Sequence, residues 1–314
     1  MRGALLYMRT AKKNSNLKWV LFFLLPSTFG LIIFSVVPIL SSFILSLTGW
    51  NGLNKLNLAD LNGFMSDNFI GAANYTDILT GEEFWRVLKN TSYFIILYVP
   101  LILFVSIIVA VLLNNKYKGI AVYRVLYYIP VLTSWVAGAL IWKWVLSPDF
   151  GILNSLLGFI GIKGPGWIQD SNWAMPGVVL ASLWKDMGFF GLIFLGGLQS
   201  INPVYYEAAE IDGVSWWNKL TKITLPLVSP YTFFIVIISI INSFQLFPQV
   251  MVMLPNGNAN FDYMQVMVER IYRYAFRYFK MGYAASFSWM LFLIIFAFTF
   301  LQTKLQNRWV HYDT

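Results

Sequence analysis

The sequence predicts an all-α integral membrane protein, and its composition and its charge-free stretches carry that prediction. Of its 314 residues, 58% are hydrophobic and 11% are charged, whereas soluble globular proteins are roughly half apolar and about a quarter charged. Charge-free stretches recur along the chain, long enough for helices of about 20 residues across a bilayer. The stretches are continuous, which disfavours a membrane β-barrel, whose strands alternate over about ten residues.

Six segments are predicted to cross the membrane. Five are charge-free runs, and the fourth in chain order is interrupted only by Lys185 and Asp186. The predicted spans cover about 19–47, 91–113, 123–146, 174–198, 226–252 and 283–303. They define a membrane domain from 19 to 303, with an N-terminal tail of residues 1–18 and a C-terminal tail of residues 304–314.

The first span has the basic flank of a signal peptide. However, its apolar run is longer than a signal core, contains Pro26 and Pro38, and lacks a cleavage site of small residues. We therefore interpret it as an uncleaved membrane helix.

The distribution of lysine and arginine predicts the orientation. The two tails and the loops after helices two and four carry twelve basic and four acidic residues, whereas the opposite side carries eight basic and nine acidic residues. Because cytoplasmic loops hold the excess of lysine and arginine, both termini are predicted to be cytoplasmic. Basic residues from Arg270 to Lys280 oppose this orientation, but interleaved tyrosines and phenylalanines predict a short amphipathic helix lying in the membrane interface there.

Several classes of chemistry are excluded or disfavoured by composition. The chain has no cysteine, which excludes disulfides, thiolate metal sites and iron–sulfur clusters. His311 is the sole histidine, so a histidine metal site or a Ser-His triad is disfavoured. No basic patch protrudes as a domain, so no nucleic-acid partner is expected.

The loop between helices four and five is predicted to lie in the cytoplasm and to carry its own helices. Asn202 can cap a helix and Pro203 suits its first position. Gly213 favours a stop, so a helix is predicted from Pro203 to Asp212. Ser215 offers a cap for a second helix.

Two carboxylates and two alanines give this short helix a docking character. Glu207 and Glu210 are three residues apart and share a face. Ala208 and Ala209 leave room for another surface to approach closely. The segment is therefore interpreted as a docking element rather than a solvated loop.

The loop resembles a known signature at every position of its pattern. The matching residues are Glu207, Ala208, Ala209, Gly213, Ile223, Leu225 and Pro226. Their spacing is similar to the Glu-Ala-Ala signature of permease subunits in binding-protein-dependent ATP-binding-cassette importers. Nearly the whole chain resembles the sugar-importing branch, and the ending NRWVHYD resembles the maltose-permease F-type and glycerol-3-phosphate-permease A-type subunits.

This resemblance implies a six-helix type I importer permease fold with a cytoplasmic coupling helix between helices four and five. The coupling helix would dock on a separate ATPase subunit, with Glu207 as the acidic anchor that meets a basic residue there. Close packing would come from the two alanines and the turn from Gly213. The coupling residues would be Glu207, Ala208, Ala209, Glu210, Asp212, Gly213, Leu225 and Pro226.

The same resemblance implies the partners of the chain. They would be a second permease in a heterodimer, two copies of a nucleotide-binding ATPase subunit, an extracellular or periplasmic sugar-binding protein and the lipid bilayer. ATP and Mg would bind to the ATPase, and this subunit would hold no cofactor. The sequence has no G-x-x-x-x-G-K-[ST] phosphate loop, so this subunit is predicted to be non-catalytic. The predicted spans and the resemblance imply a multi-pass protein of the cell membrane.

Eight residues in the fourth and fifth spans are candidates for a substrate pathway. They are Lys185, Asp186, Ser239, Asn242, Ser243, Phe244, Gln245 and Gln249. An ionisable group at the bilayer centre costs roughly 3 kcal/mol or more unless it faces protein or water. Because neighbours on a helix point about 100° apart, Lys185 and Asp186 need separate partners. By contrast, Lys143 is predicted to snorkel to the outer interface.

The residues of the fifth span suit a sugar, because amides donate and accept hydrogen bonds and aromatic rings pack on a pyranose face. Two structural alternatives stay open. The charged pair can contact a neighbouring helix or water without touching substrate, and polar side chains also hold membrane helices together.

Two other functions compete with the importer. An ion-coupled secondary transporter of a small polar solute would need a buried acidic coupling site and inverted repeats, but Asp186 is the only acid within the predicted spans. An integral membrane enzyme would need clustered acidic, histidine or Ser/Lys chemistry at a membrane face. The importer is the leading hypothesis and the ion-coupled transporter the alternative.

Overall fold

The computed structural model describes residues 19–54, 61–115, 117–254 and 261–310, and helices dominate these ranges. The one β pairing within them is an isolated bridge between Thr48 and Phe69. The all-α prediction is therefore confirmed. The N-terminal tail and residues 311–314 lie outside the described residues.

The helices are named in chain order. They are α1 (Trp19–Ser46), α2 (Leu61–Asn68), α3 (Ala73–Thr80), α4 (Glu82–Leu113), α5 (Ile120–Leu132), α6 (Trp135–Val145), α7 (Ile152–Phe159), α8 (Ala174–Ser200), α9 (Pro203–Ile211), α10 (Trp216–Leu227), α11 (Ser229–Phe244), α12 (Pro248–Met253), α13 (Met267–Phe276) and α14 (Met281–Leu305).

Four of the described helices, α1, α4, α8 and α14, are long and apolar enough to cross a membrane. Two bent pairs, α5 with α6 and α10 with α11, pass the same test when each pair is taken together. Up to six spans therefore exist in the described part of the chain. This number of spans agrees with the six-helix arrangement that the resemblance implied.

The structure shows helix breaks in spans three and five that the sequence analysis did not predict. The pair α5 and α6 bends by 98°, and Ser134 caps the second helix by accepting a hydrogen bond from the Ala137 amide. The pair α10 and α11 bends by 65°, and α11 ends before a further break at residues 245–247. Each break has a proline beside it: Pro130 lies in the last turn of α5 and Pro248 begins α12. Proline has no backbone N–H, so it cannot donate the hydrogen bond that would continue a helix through its position.

The chain divides into two compact units. The first contains the chain up to Thr76 together with Tyr274–Trp289, and the second contains Asp77–Arg273 together with the chain from Met290 onward.

Buried polar contacts hold the first unit together. The Asn74 side-chain amide donates to the carbonyl oxygens of Ser46 and Thr48 at 3.0 and 2.9 Å, and the Ser286 hydroxyl donates to the Ser46 carbonyl at 2.6 Å. A Cβ on Gly282 would lie 1.9 Å from the Thr48 carbonyl oxygen. Only glycine permits that approach of α14 to the end of α1.

The second unit has its core along α8, which packs against α4, α5 and α11. Phe94 and Ile102 of α4 and Phe190 and Phe194 of α8 are fully buried there. A Cβ on Gly188 would lie 2.2 Å from the Tyr127 carbonyl oxygen, so glycine lets the backbones of α8 and α5 meet. Small residues serve such close approach in membrane helix pairs generally.

Candidate functional site

A cavity of about 280 Å³ lies within the second unit. Five helices and the loop between α11 and α12 supply its wall. The lining residues are Phe94 and Tyr98 of α4, Trp135 of α6, Ser182 and Asp186 of α8, Asn242 and Ser243 of α11, Gln245 and Leu246 of the loop, and Pro248 and Gln249 of α12. Amides, a carboxylate and aromatic rings thus face one space.

Two polar side chains of this wall have different hydrogen-bonding states. The Tyr98 hydroxyl donates to Asp186 Oδ2 at 2.6 Å, which fixes the carboxylate. The buried Gln249 Oε1 has no hydrogen-bond partner among the described residues. A buried acceptor left unpaired costs roughly 1–3 kcal/mol, so Gln249 is available for a ligand that donates.

Five of the eight predicted pathway residues line the cavity: Asp186, Asn242, Ser243, Gln245 and Gln249. The break after α11 explains their arrangement, since it places Gln245 in the loop and Gln249 on a separate helix instead of on one continuous stripe.

The other three predicted residues do not line it. Ser239 donates to the Val236 carbonyl within its own helix, and the ring of Phe244 packs on Phe298 with centroids 5.4 Å apart. The third, Lys185, points to a different helix.

Lys185 contacts the end of α5. Its ammonium donates to the carbonyl oxygens of Pro130, Val131 and Thr133 at 3.3, 3.0 and 2.7 Å, and it lies 5.2 Å from the centroid of the Trp135 ring. Lys185 and Asp186 therefore have the separate partners that their angular separation predicted.

Six lining residues were not predicted from the sequence: Phe94, Tyr98, Trp135, Ser182, Leu246 and Pro248. Aromatic residues make up 18% of the chain, so single rings in apolar spans carry no usable signal. Ser182 lies one turn before Asp186 on the same helix, and that spacing is the one signal that was available.

The predicted helix caps and the predicted stop at Gly213, in the loop between the fourth and fifth spans, are confirmed by the structure. The Asn202 side chain caps α9 by accepting from the Val204 amide at 3.1 Å, and Gly213 follows the helix with φ of +67°. Ser215 caps α10 by accepting from the Asn218 amide. The Tyr206 and Thr224 hydroxyls are hydrogen-bonded at 2.9 Å, which ties the two short helices together.

The two glutamates of α9 have different environments. Glu210 pairs with the Lys219 ammonium at 3.0 Å, whereas Glu207 is exposed and has no ion pair within the described residues. Asp212 caps the helix C-terminus and is exposed. Glu207 is thus the carboxylate of this helix that is free to meet another molecule.

The alanines differ as well, which corrects one expectation. Ala208 is exposed, but Ala209 is 5% exposed and packs within its own chain. Leu225 is 41% exposed and Pro226 is half-buried in α10. Only Ala208 of the alanine pair leaves room for a partner.

The basic segment for which an amphipathic helix in the membrane interface was predicted contains the helix α13. Arg270 is buried and Arg273 is half-buried, and they form ion pairs with Glu83 and Glu269. Lys143, for which snorkelling to the outer interface was predicted, donates to the Val252 and Leu254 carbonyls.

No group of three or more histidine, cysteine, aspartate or glutamate side chains that could hold a metal ion exists in the part of the chain that the structure describes. The chemistry available here is hydrogen bonding, ring stacking and a charged contact from the exposed loop.

Comparison with known proteins identifies relatives along most of the chain. A family model of binding-protein-dependent transport system inner membrane components matches residues 78–311. The probable ABC transporter permease protein YesP of Bacillus subtilis is 34% identical over 295 residues, covering 93% of this chain and 91% of that protein. The lactose transport system permease protein LacF of Rhizobium radiobacter is 31% identical over 286 residues, covering 89% of this chain and 91% of that protein.

The fold is also similar to a solved structure. A chain of a bacterial alginate ABC transporter, in complex with an alginate pentasaccharide-bound periplasmic protein, matches with a TM-score of 0.79 and 22% identity. The match covers 94% of this chain and 96% of that one.

Proposed function

Because the chain belongs to the family of binding-protein-dependent transport system inner membrane components, we propose that it is the membrane-spanning subunit of an ATP-driven sugar importer. With a second permease it forms the pathway for a sugar or oligosaccharide that an extracellular binding protein delivers. Family membership favours this function over the ion-coupled transporter considered from the sequence. The observation that carries the proposal is the cavity in which amides, a carboxylate and rings converge.

The cavity chemistry supports a carbohydrate as the substrate. Asn242, Gln245 and Gln249 present amides that donate to and accept from hydroxyl groups. Trp135 and Phe94 offer faces on which a pyranose ring packs. The relative from Rhizobium radiobacter is described as a lactose transport permease, which agrees with this class.

The exposed loop supports coupling to an ATPase. In the assembled importer, α9 is the coupling helix, and its Glu207 carboxylate makes a charge-assisted contact with a basic residue of the ATPase. Two ATPase copies bind ATP and Mg and carry out the hydrolysis, since this sequence lacks a phosphate loop. The subunit itself is non-catalytic.

The charge distribution supports the orientation. With both termini in the cytoplasm, the side that carries twelve basic and four acidic residues faces inward, as the positive-inside rule requires. This orientation brings α9 to the compartment that holds ATP.

Reconstitution tests the proposal. The chain is co-expressed with its second permease, ATPase and binding protein, and the purified assembly is placed in proteoliposomes with labelled neutral and acidic oligosaccharides. We expect uptake of at least one sugar that requires both ATP and the binding protein.

Two outcomes would contradict the proposal. One is uptake by the isolated chain driven by an ion gradient without ATP, which would restore the secondary transporter. The other is an assembly that hydrolyses ATP and moves no carbohydrate of either charge class.

A further inference from the structure

The Lys185 side chain of α8 contacts the broken third span at its bend. Lys185 is 6% exposed, and an ammonium has three N–H donors. All three have an acceptor at the end of α5, at the carbonyls of Pro130, Val131 and Thr133. None is left for a substrate, which separates Lys185 from the cavity-lining residues.

The Val131 and Thr133 carbonyls lie at the break and accept from Lys185, whereas the Pro130 carbonyl also accepts from the Thr133 amide and hydroxyl. A helix end leaves its last carbonyl groups without intrahelical partners, and water is absent from the bilayer core. The helix C-terminus also carries a partial negative charge, which favours a cation beside it. Lys185 satisfies both needs, and its distance of 5.2 Å from the Trp135 ring extends the contact to the first residue of α6.

Lys185 therefore links two parts of the fold. On one side it holds the bend and Trp135, which lines the cavity. On the other side it belongs to α8, which runs without a break to Ser200 and leads through Ile201 into α9. A helix rises about 1.5 Å per residue, so about 22 Å of continuous helix separates Lys185 from the start of the loop.

We propose that Lys185 is a positioning residue that carries movement of α9 to the cavity wall, by fixing the bend of the broken span, and Trp135 with it, to α8. The proposal rests on the proposed function of α9 as the coupling helix. In this arrangement the two neighbouring residues have different roles: Asp186 lines the cavity, and Lys185 fixes the position of the cavity wall.

Lys185→Met and Lys185→Arg in the assembled importer test this role. Methionine keeps the length of the side chain without donors, and arginine keeps both charge and donors. We expect Lys185→Met to lower sugar uptake per ATP hydrolysed about tenfold, within the range of coupling between linked sites, with the KM for sugar unchanged. Lys185→Arg should restore most of the uptake.

A distance measurement provides a readout that does not depend on the sugar. Because the chain has no cysteine, single cysteines at Val136 of α6 and Phe189 of α8, both exposed, can carry spin labels. We expect the distance between the labels to be the same with and without ATP in the otherwise unchanged protein, and to broaden in Lys185→Met. If Lys185→Met does not assemble, Lys185→Gln is measured in its place.

Unchanged distances and unchanged uptake per ATP in the variant would overturn the proposal. So would a raised KM with normal turnover, which would assign Lys185 to substrate contact. Absence of sugar uptake by the unmodified importer would count against the proposed function instead, while the distances between the labels would still decide the role of Lys185.

Discussion

The coupling loop and the cavity use polar side chains in opposite ways. In the cavity, Asp186 is held by Tyr98, and the Ser243 hydroxyl donates to the Ser239 carbonyl at 2.6 Å. In the loop, the Glu207 carboxylate is exposed and without an ion pair in the described chain. The difference teaches that the exposed loop presents a carboxylate without an ion pair in the described chain, whereas Asp186 and Ser243 of the cavity are hydrogen-bonded within the fold.

The largest effect is expected from charge reversal at the exposed carboxylate of the loop. Glu207→Arg should leave membrane insertion intact and lower ATP-driven uptake about thirtyfold or more, because loss of one partner of an interfacial ion pair costs about 2 kcal/mol or more. Uptake in proteoliposomes is the measurement, with insertion checked by protease protection.

Glu210→Gln is the matched control, three residues away on the same helix. It removes only an exposed pair with Lys219, worth about 0–1 kcal/mol, so uptake should stay close to that of the unmodified importer. Equal uptake by the Glu207 and Glu210 variants would remove the special role of Glu207.

The packing of α8 against α5 is tested by a substitution that adds a single methyl group. Gly188→Ala brings a Cβ against the Tyr127 carbonyl, and overpacking of this kind costs about 1–3 kcal/mol. We expect a lower thermal unfolding midpoint of the detergent-purified protein.

Gly196→Ala, on the same helix, is the control because nothing lies within 4 Å of its Cβ position. Its midpoint should stay unchanged or rise slightly. If both variants unfolded at the same temperature, the close approach of α8 and α5 would not contribute to stability.

The smallest effect is expected at the amides of the cavity. Asn242→Ala and Gln245→Ala each remove one hydrogen-bonding group from the wall, worth about 0.5–1.5 kcal/mol. The KM for sugar-stimulated ATP hydrolysis should rise roughly threefold to tenfold.

Ser239→Ala serves as the reference for these two variants, since Ser239 belongs to the same polar stripe but does not line the cavity. It should leave the KM unchanged. A KM that is unchanged in all three variants would exclude Asn242 and Gln245 from the pathway.

The loop could be predicted from sequence because its signals are local. Asn202, Pro203, Gly213 and Ser215 each act within a few residues of their own position. The exposure of Ala208 and burial of Ala209 could not be predicted, since which neighbour faces inward depends on how α9 settles against α10.

The cavity could be predicted only in part because its contacts are distant in sequence. Tyr98 and Asp186 are 88 residues apart, and no periodicity within one span indicates that pairing. The breaks around Thr133 and Phe247 decided which polar residues face the cavity. A proline in an apolar run signals a possible break, but the direction of the bend is set by the helices around it.

The bend of the third span is synthesised before the lysine that contacts it. Thr133 and Val131 are made 52 and 54 residues before the lysine whose ammonium donates to their carbonyls. When α5 and α6 first reach the bilayer, the ribosome has not yet delivered that partner, and unpaired carbonyls in lipid cost several kcal/mol, roughly. The right-angle turn of this segment is therefore completed late in biogenesis, after α8 has entered the membrane beside it.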